Sequence, residues 1–165
     1  MTAWAKPVAT VAYVGLMRPA PGTWGSLAAL PLAWVLYQIG GAVLFAAMII
    51  VAYVIGIKAT AIYTAGKADH DPSEVVIDEV VGQWIALLPV VFGATMMGAD
   101  ITRLWPGWIA AFVLFRLFDI WKPGPVGTAD KRGDATGVML DDVIAGVFAA
   151  IASSALAAFS HLVLM

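Results

Sequence analysis

The chain has 165 residues, of which 62% are hydrophobic and only 12% are charged, and its formal net charge is -2. Its mean hydropathy of +0.91 lies far above that of soluble globular domains, so the composition predicts a membrane protein, folded as a single domain over residues 1–165. The absence of cysteine excludes disulfides, thiolate nucleophiles and Cys-based metal sites, and the weak negative charge excludes a nucleic-acid-binding surface.

Five apolar stretches approach the length that a helix needs to cross the hydrocarbon core, about 20 residues. They predict an all-α, membrane-embedded bundle of about four to five hydrophobic helices. Gly40 and Gly41 separate the first two stretches, and they form either a tight turn or a break within one long span. The stretches cover residues 27–39, 42–57, 84–97, 108–121 and 143–164.

The charged residues are concentrated in a few connections between these stretches. If the two glycines form a turn, one side of the membrane carries ten of the eleven acidic residues and eight of the nine basic ones. Because Lys and Arg in short loops stay on the cytoplasmic side, we expect this side to face the cytoplasm. Arg103 lies alone on the opposite side, and the eight basic residues are Lys6, Arg18, Lys58, Lys67, Arg116, Lys122, Lys131 and Arg132.

The block D-P-S-E-V-V-I-D-E-V-V-G, residues 71–82, places carboxylates among valines and an isoleucine. Asp71 and Glu74 fit the start of a helix, so they are either capping residues or part of a site. Asp78 and Glu79 follow in the apolar part, where an unpaired carboxylate is costly. We therefore interpret that pair as functional.

A second polar block is F-R-L-F-D-I-W-K-P-G-P, residues 115–125. Arg116, Asp119 and Lys122 recur every three residues, which places them on one face of a helix that ends near Lys122. Either Arg116 and Asp119 only neutralise each other, or the two cations bind a phosphate. The following segment, residues 122–136, is rich in glycine and proline and is expected to form a loop.

The block G-V-M-L-D-D-V-I-A-G, residues 137–146, sets Asp141 and Asp142 against the last apolar stretch. One aspartate fits the N-cap of the helix that follows, since its carboxylate can accept the free N–H groups of the first turn. Capping does not require the second aspartate, so at least one of the two is expected to belong to a site.

Near the start, P-G-T-W-G-S from residue 21 indicates a glycine-rich turn followed by a helix with Ser26 as its N-cap. Exposed N–H groups at a helix start can hold a phosphate. Thr23 and Ser26 are therefore candidate phosphate-binding residues, although a turn that binds no ligand would show the same sequence pattern.

Carboxylates outnumber cations in these blocks, because six acids face only Arg116 and Lys122. Such an excess of buried negative charge is costly unless a cation binds to it. Ligands that are all oxygen favour a hard cation such as Mg²⁺ over zinc. The residues thus predict a Mg²⁺ site that clamps a phosphoryl group and activates water, with acids that serve as ligands or bases: Glu74, Asp78, Glu79, Asp119, Asp141 and Asp142.

Taken in chain order, from residues 21, 71, 115 and 137, the four blocks resemble the successive motifs of the bacterial phosphatidylglycerophosphatase A family, over roughly residues 21–150. The resemblance implies an inner-membrane, Mg²⁺-dependent phosphatase of phospholipid biosynthesis that converts phosphatidylglycerophosphate to phosphatidylglycerol. No protein partner is evident from the sequence. The family's polar motifs fall on the acid pair at 78 and 79, the stripe at 116, 119 and 122, and the aspartate pair at 141 and 142.

Together, these observations give three sets of expected site residues. The catalytic set is Asp78, Glu79, Asp119, Asp141 and Asp142. The metal-binding set is Glu74, Asp78, Glu79, Asp141 and Asp142, and the phosphate-binding set is Arg116, Lys122, Thr23 and Ser26. With no cysteine and no evident serine–histidine pair, direct attack by water is preferred, and an aspartyl-phosphate intermediate stays open.

Other functions fit the blocks less well. A CDP-alcohol phosphotransferase needs a D-G-x-x-A-R block, which this sequence lacks. The alternative from a different class is a multi-pass cation transporter or channel with a carboxylate-lined site, but such a path distributes polar groups through the membrane depth. A non-catalytic membrane scaffold leaves the excess of carboxylates without a cause.

Overall fold

The computed structural model describes residues 3–67, 69 and 71–164, and this part of the chain is all-α, as predicted, with two short 3₁₀ turns and no strand. The helices pack as one bundle in which α3 contacts α2, α5 and α7. They are α1 (Ala5–Ala9), α2 (Pro21–Thr64), α3 (Ile77–Ala86), α4 (Leu88–Met97), α5 (Trp105–Trp121), α6 (Pro125–Asp130) and α7 (Ala135–Leu164).

Three of the described helices are long and apolar enough to cross a membrane, namely α2, α7 and α5 with the 3₁₀ turn that precedes it. Helices α3 and α4 add a fourth candidate, a pair bent by 41° at the residue between them. The bend falls where Pro89 enters the first turn of α4 and cannot donate a backbone hydrogen bond. The chain is thus built as a membrane-embedded bundle.

Helix α2 is broken into two arms at Gly40 and Gly41. Gly41 has φ 62° and ψ -157°, a conformation that is open to glycine and strained for other residues. The indole N–H of Trp84 donates to the Ala29 carbonyl at 2.9 Å, and the same ring lies 5.9 Å from that of Phe45. A straight helix would separate residues 29 and 45 by about 24 Å. The arms therefore fold back on each other, and the two glycines form a hairpin turn.

Helix α3 is the central element of the bundle, and eight of its ten residues are buried. It crosses α7 at a point where both helices carry glycine. A Cβ added at Gly146 would overlap the Gly82 carbonyl, and one added at Gly82 would lie 2.6 Å from the Asp142 carbonyl. Small residues at such a crossing let two helix backbones approach closely. The contact brings the start of α3 beside the Asp142 turn of α7.

The helix predicted to start at Asp71 begins at Ile77 instead. The Val75 N–H closes a turn onto the Pro72 carbonyl at 2.8 Å, and the Val76 N–H donates to Ala9 of α1 at 2.9 Å. The apolar contacts of the buried Val75 and Val76 therefore override the local capping pattern. Asp78 and Glu79 consequently lie in the first turn of α3, where the helix dipole favours negative charge.

The expectation that Asp141 or Asp142 caps the last helix is wrong. Helix α7 starts at Ala135, about two turns earlier, and the Asp134 carboxylate accepts the Gly137 N–H at 2.7 Å. Asp134 therefore provides the cap, which leaves both aspartates free of that role.

Two further boundaries differ from the sequence-based expectations. The segment 122–136 is not wholly a loop, since it contains α6, which starts at Pro125. Helix α2 starts at Pro21, so Ser26 lies inside the helix, and its hydroxyl donates to the Gly22 carbonyl at 2.9 Å rather than capping. As expected, Lys122 lies at the end of α5, where it adopts the left-handed C-cap conformation with φ 50°.

We predict that Gly82→Ala destabilises the bundle, because the new methyl group would overlap the Phe115 ring and press on the Asp142 carbonyl. Overpacking of this kind costs about 1–3 kcal/mol. The measurement is thermal unfolding of the purified protein in detergent. Gly93→Ala is the matched control, since its methyl group would meet only Leu104, at 3.9 Å. Equal melting temperatures for the two variants would contradict the close crossing.

Candidate active site

Seven of the predicted site residues line one cavity of about 330 Å³, at the end of the bundle opposite the Gly40–Gly41 turn. The cavity is formed by the start of α2, the segment before α3, the first turn of α3, the end of α5 and the second turn of α7. Six carboxylates and two cations reach it, so the formal charge of its lining is four negative. These residues are Asp71, Asp78, Glu79, Asp119, Asp141, Asp142, Arg116 and Lys122.

Three carboxylates form the tightest group in this cavity. Asp78, Glu79 and Asp142 each offer an oxygen, and these oxygens lie within 4.8 Å of one another. Asp78 and Asp142 are only 6% and 3% exposed, so water screens them poorly. At 4.8 Å, two like charges repel by about 3 kcal/mol at an effective dielectric constant of about 20. The group is therefore stable only if it is protonated or holds a cation.

A buried, unpaired oxygen within the group shows that its carboxylates fit a cation. Glu79 Oε2 is buried and has no hydrogen-bond partner, although most buried polar atoms have one. Every donor in the group is a carboxylate oxygen, which is the ligand type of hard divalent cations. The Asp78 Oδ1 atom also accepts the Glu79 N–H at 3.0 Å, which fixes the orientation of that carboxylate.

Arg116 lies beside the acidic group and is held by two acids. Its Nη1 atom is 2.6 Å from Asp119 Oδ2 and 3.9 Å from Glu79 Oε1, and its Nε atom is buried without a partner. The predicted pairing of Arg116 with Asp119 therefore exists, but it leaves donors of the guanidinium free. A Cβ at Gly22 would overlap Glu79 and lie 3.2 Å from both terminal nitrogens of Arg116, so the glycine makes room for this contact.

Lys122 reaches the cavity from the end of α5, and it pairs with Asp130 and Asp141 rather than with Asp119. Its Nζ atom is 2.9 Å from Asp141 Oδ2 and also contacts Asp130 Oδ1. Burial lowers the pKa of Lys122, but the hydrogen bonds to Asp130 and Asp141 outweigh it and raise that pKa above its ordinary value. The side chain therefore carries a positive charge at every physiological pH.

Three predicted residues lie apart from the acidic group. Glu74 accepts hydrogen bonds from Tyr63 at 2.9 Å and Lys67 at 3.5 Å, so its carboxylate ties the segment before α3 to the end of α2. Ser26 is fully buried and touches the site only through a 3.5 Å contact with Arg116. Thr23, in the first turn of α2, does not line the cavity.

Sequence reasoning assigned Asp71 only an open choice between capping and function, and it did not single out Ser73 or Asp130. Asp71 and Ser73 line the cavity because residues 71–76 are not helical and run along its edge. Asp130 is the last residue of α6, a short helix that packs against α7, and its carboxylate contacts Lys122. The path of the non-helical segment determines the first placement and the packing of α6 the second, and no spacing rule in the sequence indicates either.

Comparisons with known proteins identify the family of the chain. The family model for phosphatidylglycerophosphatase A matches residues 7–157. A phosphatidylglycerophosphatase A of Haemophilus influenzae is 36% identical over 83% of this chain and 78% of its own length, and one of Escherichia coli is 35% identical over 82% and 73%.

A third relative, a putative phosphatidylinositol-3-phosphatase of Bacteroides thetaiotaomicron, is 40% identical over 80% of each chain. No solved structure matches. The family model covers most of the chain, including every charged residue of the cavity. The chain therefore belongs to the phosphatidylglycerophosphatase A family and is a phosphatase.

Proposed function

We propose that this protein hydrolyses the terminal phosphate of phosphatidylglycerophosphate to give phosphatidylglycerol, as a Mg²⁺-dependent step of phospholipid biosynthesis at the inner membrane. The observation that carries the proposal is the Asp78, Glu79 and Asp142 oxygen cluster beside two cations at one end of apolar helices. A carboxylate cluster of this kind could hold a divalent cation, and Arg116 and Lys122 could bind the substrate phosphate beside it.

The ion that fits this proposal best is Mg²⁺. The donors are three carboxylates with no nitrogen or sulfur ligand, which disfavours zinc. Mg²⁺ also commonly binds through a few carboxylates and completes its shell with water and substrate phosphate. When bound, the ion withdraws charge from the phosphoryl oxygens and makes an attacking water more acidic.

The residues around the cluster supply the remaining chemistry. Arg116, held in place by Asp119, is positioned to stabilise the charge that builds on the phosphoryl oxygens. Lys122, at the end of the same helix, adds a second positive charge to the lining of the cavity. Both cations already pair with acids, so the incoming phosphate replaces part of those contacts rather than meeting bare charges.

The reaction needs a nucleophile and a proton acceptor. Water forms the new P–O bond, a carboxylate takes its proton, and the bond from phosphorus to the glycerol oxygen breaks. Asp71, Asp119 and Asp141 lie in the cavity outside the three-oxygen group, so they are the acids available to accept that proton. The glycerol oxygen then takes up a proton to leave as the alcohol of phosphatidylglycerol.

A lipid substrate suits the position of the cavity. Trp24 and Trp121 are 37% and 71% exposed, and they lie close in the chain to the cavity-lining residues at the start of α2 and the end of α5. Tryptophan is enriched where a membrane meets water, so the cavity is expected to lie at headgroup level. A phosphomonoester on a lipid headgroup could then enter while the acyl chains remain beside the apolar helices.

The test is phosphate release from phosphatidylglycerophosphate by the purified full chain in detergent, with Mg²⁺ and with excess chelator. We expect release that the chelator abolishes and added Mg²⁺ restores. The third relative makes phosphatidylinositol 3-phosphate the natural competing substrate. A preference for that lipid would contradict the proposed substrate. No release from either lipid with any divalent ion would refute the proposed phosphatase reaction.

We predict that Asp142→Asn lowers turnover by about two orders of magnitude or more, because it removes one negative oxygen from the cation-binding group. The control is Asp134→Asn, on the same helix, since asparagine caps a helix about as well as aspartate. Both variants should be recovered in the membrane in equal amounts. Near-wild-type turnover of Asp142→Asn would show that Asp142 does not take part in the reaction.

The proposed cytoplasmic position of the site predicts a labelling pattern in intact cells. The chain has no cysteine, so a single cysteine at the exposed Lys131 or Arg103 gives a unique label. A membrane-impermeant maleimide should label Arg103→Cys from outside and Lys131→Cys only after the membrane is opened. The reverse pattern would place the cavity on the outer face.

A further inference from the structure

Arg18 is a cation at the edge of the cavity that the hydrolytic site does not use. It lies in the connection that leads into α2, and its Nη1 atom donates to Ser73 Oγ at 3.1 Å. Ser73 lines the cavity, and so does Ala20, two residues beyond Arg18. The guanidinium is thus attached to the rim of the cavity rather than to its acidic floor.

The pairing of Arg18 differs from that of the two cations inside the cavity. Arg116 and Lys122 each contact carboxylates, whereas within the described residues Arg18 forms no ion pair within 4.0 Å. Its side chain is exposed, and Ser73 uses only one of its five N–H donors. An unpaired guanidinium held by a neutral hydroxyl has donors free for an anion.

The surface around Arg18 is apolar. Leu16 and Met17 precede it with 45% and 44% of their side chains exposed, and the exposed Trp24 is fixed by a 3.0 Å hydrogen bond from its indole N–H to the Pro19 carbonyl. A cation among exposed apolar side chains at the end of membrane helices fits an anionic lipid headgroup. A soluble phosphate would gain nothing from this apolar surface.

We propose that Arg18 binds the phosphodiester of the lipid headgroup and so forms a second anion subsite, on the membrane side of the cavity. This rests on the proposed function, whose substrate carries two phosphates joined through one glycerol. The terminal phosphate enters the carboxylate-lined cavity, and the phosphodiester, still attached to diacylglycerol, lies at the rim. Arg18 is thereby a specificity-determining residue that favours a diester-linked lipid headgroup over a simple phosphomonoester.

Two inhibitors separate the subsites, because short-chain phosphatidylglycerol carries only the diester and inorganic phosphate occupies only the cavity. In the full chain in detergent, Arg18→Gln should raise the inhibition constant for phosphatidylglycerol about fivefold, the order expected for one exposed charged contact. The inhibition constant for phosphate and kcat should not change. Arg18→Lys should recover much of the affinity, and Lys131→Gln, an exposed cation that does not line the cavity, should have no effect.

An unchanged inhibition constant for phosphatidylglycerol in Arg18→Gln would overturn the proposal of a subsite at Arg18. Equal weakening of both inhibitors, or an equal effect of Lys131→Gln, would also overturn it, because either result indicates only general attraction of anions. Calorimetric titration with the same two probes tests the subsite independently of turnover. A wild-type protein that binds phosphatidylglycerol through Arg18 but releases no phosphate would contradict the proposed function alone.

Discussion

The close crossing of α3 and α7 is the contact on which the site depends. Gly82 and Gly146 let the two backbones touch, and this contact sets Asp78 and Glu79, from the first turn of α3, beside Asp142. Asp142 lies 63 residues after Glu79 in the chain, so no local motif could bring it beside the acid pair of α3. Rigid helices hold such a group more accurately than loops do, which suits carboxylates that could together hold one small ion.

Charge distribution along the bundle favours an enzyme over an ion path. The six carboxylates and two cations of the cavity lie at one end, and the described residues at the other end carry only Asp100 and Arg103 near the turn between α4 and α5. A transporter would need polar groups through the membrane depth. Here, apart from Asp100 and Arg103, the charged groups of the described residues lie within about two turns of one end, so the architecture presents a reaction site at that end of the bundle.

The sequence predicted the helices and most of the charged residues of the cavity. The helices follow from composition, and the charged residues follow from the free-energy cost of burying an unpaired charge, which applies in any fold. An acid among valines must find a partner, and that reasoning selected Asp78 and Glu79, which the structure places beside Asp142. Boundaries were less predictable, since the Val76 hydrogen bond to Ala9 delays α3 and Asp134 takes over the cap of α7. Asp71 and Arg18 border the cavity through tertiary contacts of loops, which leave no periodic signal.

Locating the bound cation tests most directly whether Asp78, Glu79 and Asp142 form a metal site. Crystals of the protein grown or soaked with Mn²⁺, which substitutes for Mg²⁺ at oxygen sites and scatters X-rays anomalously, would show where the ion binds. We expect an anomalous peak within bonding distance of one oxygen from each of Asp78, Glu79 and Asp142. This ion would lie within reach of a phosphate held by Arg116 and Lys122. A cavity without a peak, or an ion held by other residues while these three carboxylates bind none, would contradict the proposed metal site.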